Sequence, residues 1–141
     1  MLTLGYTKAS LIGLHGGLRK EYYVKPRYNE SPEHFFVTKM IGEYIKQYTD
    51  QVELHVSQEP DVVFEINGQK IAIEVETGDK YKNARKKLLA KVEKLNKEYK
   101  NWFFVVTDWR FKEKYQKFAP TYVRKEIPSL VKELQSVPVE I

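Results

Sequence analysis

Asp61, Glu74 and Glu76 are three acids whose placement could support hydrolytic chemistry. They flank Asn67-Gly68, a dipeptide suited to a two-residue hairpin turn, because both positions tolerate the left-handed backbone such a turn needs. If Ile66 faces Gln69 across that turn, paired residue numbers sum to 135. Glu65 then opposes Lys70, Phe64 opposes Ile71, Val63 opposes Ala72, and Asp61 opposes Glu74. Directly opposed residues have Cβ atoms roughly 4.5–5.5 Å apart, and like charges there repel. Strand alternation places Asp61, Glu74 and Glu76 on one face. Val62, Phe64, Ile66, Ile71, Ile73 and Val75 lie on the other, which is expected to be the core face. A divalent cation would relieve the repulsion directly. Mg²⁺ is commonly held by one or two carboxylates with waters and a substrate phosphate. The bland alternative is a solvated acidic face.

Composition restricts the other chemistries. The chain has 141 residues and no cysteine, which removes disulfides, thiolate zinc sites and a cysteine nucleophile. An all-histidine zinc site would consume His15, His34 and His55 together, so hard oxygen ligands are favoured. No apolar run approaches a membrane span, no secretory signal is evident, and no phosphate-loop or serine-hydrolase motif is present. The expectation is an intracellular, cytoplasmic protein without a membrane partner.

The elements that must position the acids follow from pattern. Ser31-Pro32-Glu33 has the form of a helix start, with a serine cap, proline in the first turn and an acid at the positive dipole end. Val37, Met40, Ile41, Tyr44, Ile45 and Tyr48 continue it at helical spacing. Val52, Leu54 and Val56 alternate as a half-buried strand. After the hairpin, residues 80–100 read as one helix with Tyr81, Ala84, Leu88, Val92, Leu95 and Tyr99 on its apolar stripe. The run from Trp102 to Val106 has the character of a strand covered on both faces. Short helices are expected around Phe111–Phe118 and Ser129–Gln135. The order is helix, three strands, helix, strand, helix: a single mixed α/β domain. Residues 1–28 form a basic arm or extension, 31–108 the core, and 109–141 C-terminal helices.

At this point the residues resemble a known family. Glu59-Pro60-Asp61, followed across a hairpin by Ile73-Glu74-Val75-Glu76, is similar to the active-site motif of the PD-(D/E)XK nuclease superfamily, over roughly residues 31–108. The resemblance implies a restriction-endonuclease-like core and hydrolysis of DNA phosphodiester bonds with Mg²⁺ or Mn²⁺. It gives Asp61 and Glu74 the role of metal ligands. Glu76 stands where the family usually has lysine, as in some restriction-enzyme members. Either Glu76 itself activates the water or a lysine arrives from elsewhere, with Lys80, Lys87 and Lys91 as candidates. A supporting carboxylate on the first helix falls to Glu33, with Glu43 as rival, and neighbouring His34 is placed for a phosphate contact or a partly buried role. The small archaeal Holliday junction resolvases are the nearest type by resemblance, which implies a homodimer acting on branched DNA in the nucleoid.

Charge distribution agrees with an anionic partner. The chain carries a formal net charge of +5, yet residues 80–100 alone hold nine Lys or Arg against Glu93 and Glu98, a net of +7. Lys80, Lys82, Arg85, Lys86 and Lys87 begin that segment directly after the acids and form the expected phosphate-binding surface. Arg19, Lys25 and Arg27, interleaved with tyrosines, offer a second contact. Two other classes compete with the nuclease: a nucleic-acid-binding module that keeps the fold without the chemistry, and an interaction protein such as a viral or mobile-element accessory factor.

Overall fold

The computed structural model describes residues 7–11, 20–24, 31–55 and 60–136, the first two segments as backbone. Within them a five-stranded mixed sheet runs in the order β3-β4-β5-β6-β7. Its strands are β3 (Val52–Leu54), β4 (Val62–Ile66), β5 (Gln69–Glu76), β6 (Asn101–Val106) and β7 (Thr121–Val123). The first three are antiparallel neighbours, and β6 and β7 run parallel to β5. A separate antiparallel ribbon pairs β1 (Thr7–Leu11) with β2 (Lys20–Val24) beside the first helix. The basic arm is thus partly strand, while Arg19, Lys25 and Arg27 lie outside the described residues.

The hairpin has the expected register, from Ile66 opposite Gln69 out to Val62 opposite Ile73. Asn67 and Gly68 both take positive φ, 51° and 75°, which gives the turn the twist of its strands. Asn67 has a further task that its turn role does not suggest. Its side-chain amide donates to the carbonyls of Leu134 and Gln135, tying the turn to the end of the last helix.

Helices cover both sides of the sheet. α1 (Pro32–Ile45) and α5 (Ile127–Ser136) bury Val37, Ile41, Ile45, Ile127 and Val131 against Val62, Phe64, Ile71, Ile73, Val75, Phe103 and Val105. On the opposite face α3 (Arg85–Glu98) and α4 (Lys112–Gln116) bring Leu88, Val92, Leu95 and Tyr115 onto Val63, Ala72, Trp102, Phe104 and Val106. The expectation of a single core face is therefore corrected, and the face bearing the acids carries a second core. β6 is covered on both sides, as its apolar run implies.

Two further differences concern helices and an added strand. The single helix expected over 80–100 is interrupted at Ala84 (φ −146°, ψ 51°), giving a short α2 (Asp79–Asn83) before α3. The break lets Tyr81 pack on Phe111 and Tyr115 while Leu88, Val92 and Leu95 meet the sheet. No glycine or proline marks it in the sequence, because tertiary ring packing sets it. The C-terminal region holds more than helices: a 3-10 turn (Trp109–Phe111) precedes α4, and β7 extends the main sheet, so its described part, 109–136, belongs to the same core.

Gly78 joins the acid-bearing strand to α2. Its φ is +99°, and a Cβ there would lie 2.5 Å from the buried Phe111 ring. Gly78→Ala should therefore destabilise the fold by about 2 kcal/mol, combining left-handed strain with a displaced ring. Denaturant unfolding of the two proteins checks this, and a difference within a few tenths of a kcal/mol would show that the junction relaxes freely.

Candidate active site

The acids converge where the sheet ends. Asp61 is the residue before β4, and Glu74 and Glu76 occupy the last turns of the β5 pleat. All three are buried, with 6%, 3% and 3% of their surface exposed, so they do not form a solvated face. An uncompensated buried carboxylate costs several kcal/mol, so each requires partners.

The first four helices and the hairpin itself supply them. Asp61 Oδ2 accepts the Val75 backbone N–H at 2.7 Å, locking the acid across the hairpin beside Glu74. Its other oxygen lies 3.1 Å from His34 Nε2, in the first turn of α1. Lys91 Nζ donates to Glu74 Oε1 at 3.1 Å from α3. Tyr115 of α4 donates its hydroxyl to Glu76 Oε1 at 3.0 Å. Lys80 Nζ sits 3.5 Å from Glu76 Oε2. That contact is an ion pair without hydrogen-bond geometry, and among the described residues Oε2 is buried with no hydrogen-bond donor.

The start of α1 is aimed at this cluster by its cap. Ser31 accepts the His34 N–H at 3.1 Å and fixes the first turn. Glu33 Oε1 then accepts the Thr107 hydroxyl at 2.5 Å, just beyond β6. The Thr107 N–H in turn bonds the Glu76 carbonyl at 3.0 Å. Arg124, buried, also donates to the Thr107 carbonyl. Of Glu33 and Glu43, Glu33 is therefore the one connected to the cluster, through Thr107. Glu43 is exposed ten residues further along the helix, roughly 15 Å away at 1.5 Å per residue, and is excluded from the cluster.

The electrostatics divide the two opposed acids. Burial pushes the Glu74 carboxyl well above the usual carboxylate range, and the neighbouring Asp61 charge adds to that. Asp61 moves the other way. Burial would raise it, but hydrogen bonds from His34 and Glu74, the His34 charge and the Val75 N–H outweigh burial and hold it low. Lys91 is held in its charged form: burial opposes the charge, but Glu74, Glu76 and Asp61 more than compensate. Burial and the Glu76 charge raise the Tyr115 hydroxyl, so it remains a donor to that carboxylate.

Of the basic residues, Lys80 reaches the cluster, and Lys82, Lys86 and Lys87 are exposed on the adjoining α2–α3 surface. Arg85 is also exposed, but its guanidinium lies 3.6 Å from the Tyr81 ring centre and its Nε bonds the Tyr81 carbonyl. Among the candidates for a migrated lysine, Lys91 and Lys80 meet the acids and Lys87 does not. His34 and Tyr115 complete the site beyond the acids expected to do chemistry. His34 adjoins Glu33 in the sequence, whereas nothing in the local pattern around Tyr115 connects it with Glu76, 39 residues away.

These groups can orient a hydrolytic nucleophile, compensate developing negative charge and hold a hard cation through oxygen. Among the described residues no group of three or more His, Asp or Glu is placed to hold a metal ion together. A cation taking two carboxylates and otherwise water and phosphate does not require one. Comparison of the chain with protein-family models, curated proteins and solved structures gives no match.

The raised Glu74 carboxyl fixes a pH sign. A folded-state value above the unfolded one contributes stability that is full below the ordinary carboxylate range and is lost as pH rises through the folded value. In chelator-treated protein, thermal stability should therefore fall between mildly acid and alkaline pH, and Glu74→Gln should fall less. Melting curves across that range test this; an equal slope in both proteins would show that Glu74 is ionised throughout.

Proposed function

We propose that the chain is a metal-dependent endonuclease that hydrolyses phosphodiester bonds in DNA. The observation that carries the reading is the buried group Asp61, Glu74 and Glu76, with a charged lysine against Glu74 and a strongly basic surface starting at Lys80. Its resemblance to the PD-(D/E)XK nucleases gains support from the hairpin register and from a mixed sheet with helices on both faces. The restriction-endonuclease-like core and the resolvase type remain parts of this proposal, as does a homodimer.

The donor set fits Mg²⁺ or Mn²⁺: carboxylate oxygens, no thiol, and an unsatisfied buried oxygen on Glu76. Asp61 and Glu74 would hold the ion, which when bound supplies Lewis-acid polarisation of the phosphoryl oxygen and an acidified water. The protein's own residues do the remaining work. Lys91 takes the charge-compensating place that Glu76 leaves without a lysine, reaching the site from α3. Tyr115 holds Glu76 in one rotamer, His34 and Val75 hold Asp61, and Glu33 with Thr107 fixes the end of β6. The exposed cations Lys82, Lys86 and Lys87 border the path of the phosphate backbone.

A binding module without chemistry is the second reading. It is favoured by one observation: protein groups already compensate the acids, so the fold does not depend on a metal. No helix among the described residues is long and apolar enough to cross a membrane.

Cleavage of labelled four-way junctions, forks, duplex and single strands with Mg²⁺, Mn²⁺ or chelator separates the two. Asp61→Ala and Glu74→Ala should each lower cleavage by about a hundredfold or more, and Lys91→Ala by roughly 10- to 100-fold. Salt-sensitive binding without cutting in any metal would replace the nuclease with the binding module.

A further inference from the structure

The chain contains two tryptophans with opposite surroundings. Trp102 is buried in β6, stacked edge-on against Phe104 at 5.0 Å, with its ring N–H bonded to Asn96. Trp109 is 75% exposed, the most exposed of the large hydrophobic residues among those described. No described residue stacks on its indole or hydrogen-bonds to it. An indole in water keeps a large apolar face and a ring N–H available to a partner.

Its mounting is rigid. Asp108 caps the 3-10 turn through the Arg110 N–H at 3.0 Å and grips the Arg110 guanidinium at 2.7–3.1 Å. The Arg110 hydrogen bond, followed by the adjoining backbone N–H and charge, holds the Asp108 carboxyl below its ordinary range against its slight burial. Phe111 closes the turn from inside, buried against Tyr81 and Tyr115. The indole is therefore presented on a fixed base.

Its position relative to the acids is set by the chain. Thr107 contacts both Glu33 and the Glu76 backbone, and Trp109 lies two residues beyond it, so their Cα atoms are at most roughly 7 Å apart. Lys82 and Lys114 both stand 5.1 Å from the ring centre of Phe111, the other aromatic of this turn. The local acids do not cancel this charge: Asp108 is taken by Arg110, leaving Asp79 and Glu113 against Lys82, Arg85 and Lys114. An exposed ring without a protein partner among the described residues, on a braced turn that follows Thr107 by two residues and stands beside the cation-bearing rings of Tyr81 and Phe111, matches the way single-stranded nucleic acid is held.

We propose that Trp109 is a stacking platform for an unpaired nucleobase next to the scissile phosphate, so that the preferred substrate carries single-stranded or unstacked nucleotides there. This rests on the nuclease reading for the word scissile, but the stacking itself is measured without cleavage. In a duplex both faces of an internal base are occupied by its neighbours, and the platform has nothing to accept. A fork, junction centre or single strand offers a free face.

The test uses the full chain in chelator, so that no metal-dependent cutting occurs. Anisotropy titrations compare a labelled oligothymidine with a blunt duplex of equal phosphate number, for proteins with Trp109, Trp109→Ala and Trp109→Tyr. Trp109→Ala should weaken single-strand binding by about 5- to 100-fold, with little change for the duplex, and Trp109→Tyr should restore most of the loss. Indole fluorescence should be quenched by the single strand in the Trp109 protein and much less in Trp109→Ala. Equal losses on both substrates, no loss on either, or no binding at all would overturn the platform. So would a shift from dimer to monomer in sedimentation with unchanged single-strand affinity, since the indole would then be an interface between copies. Failure of the nuclease reading appears separately, as absent metal-dependent cutting with the tryptophan-dependent binding intact.

Discussion

Three carboxylates buried at the end of one hairpin are the constraint around which this domain is organised. Each would be costly alone, and together they repel. Compensation comes from all sides: the α1 terminus through His34, the hairpin itself through Val75, α3 through Lys91 and α4 through Tyr115. Hydrophobic packing draws these elements onto the sheet, but it is insensitive to small rotations of a helix. The polar contacts are directional and select one arrangement. The helices that cover the second face are thus the same ones that complete the cluster.

The protein's own groups balance much of the charge of this cluster. Burial and the Asp61 charge push the Glu74 carboxyl up, and the surrounding acids favour the charged form of Lys91, so the negative charge of the buried acids is moderated within the protein. The unsatisfied Glu76 oxygen remains as acceptor capacity that the fold itself leaves unused.

Much of this was legible in the residues. Asn67-Gly68 determines the register out to Val62 opposite Ile73, and so brings Asp61 beside Glu74, because turn type and strand alternation are local properties. Ser31-Pro32 likewise marks the start of α1 and so places Glu33 and His34. What was hidden depends on distant partners. Burial of the acids was obscured because Val63 and Ala72 on their face do not show that Leu88, Val92 and Tyr115 will pack against it. The break at Ala84 arises from ring packing between α2 and α4, and β7 is three residues long, too short for a pattern. Which of several lysines meets Glu74 is a matter of helix placement, which spacing along one chain does not specify. The nuclease activity, the metal and the DNA partner remain proposals built on the site.

The most direct test of the central claim is calorimetric titration of Mn²⁺ into the chelator-stripped protein, in two buffers of different ionisation enthalpy. A single saturable site that releases protons, and that is lost in Asp61→Ala and Glu74→Ala, is the predicted result. Absence of binding, or binding unchanged in both variants, would show that the buried acids serve the fold alone.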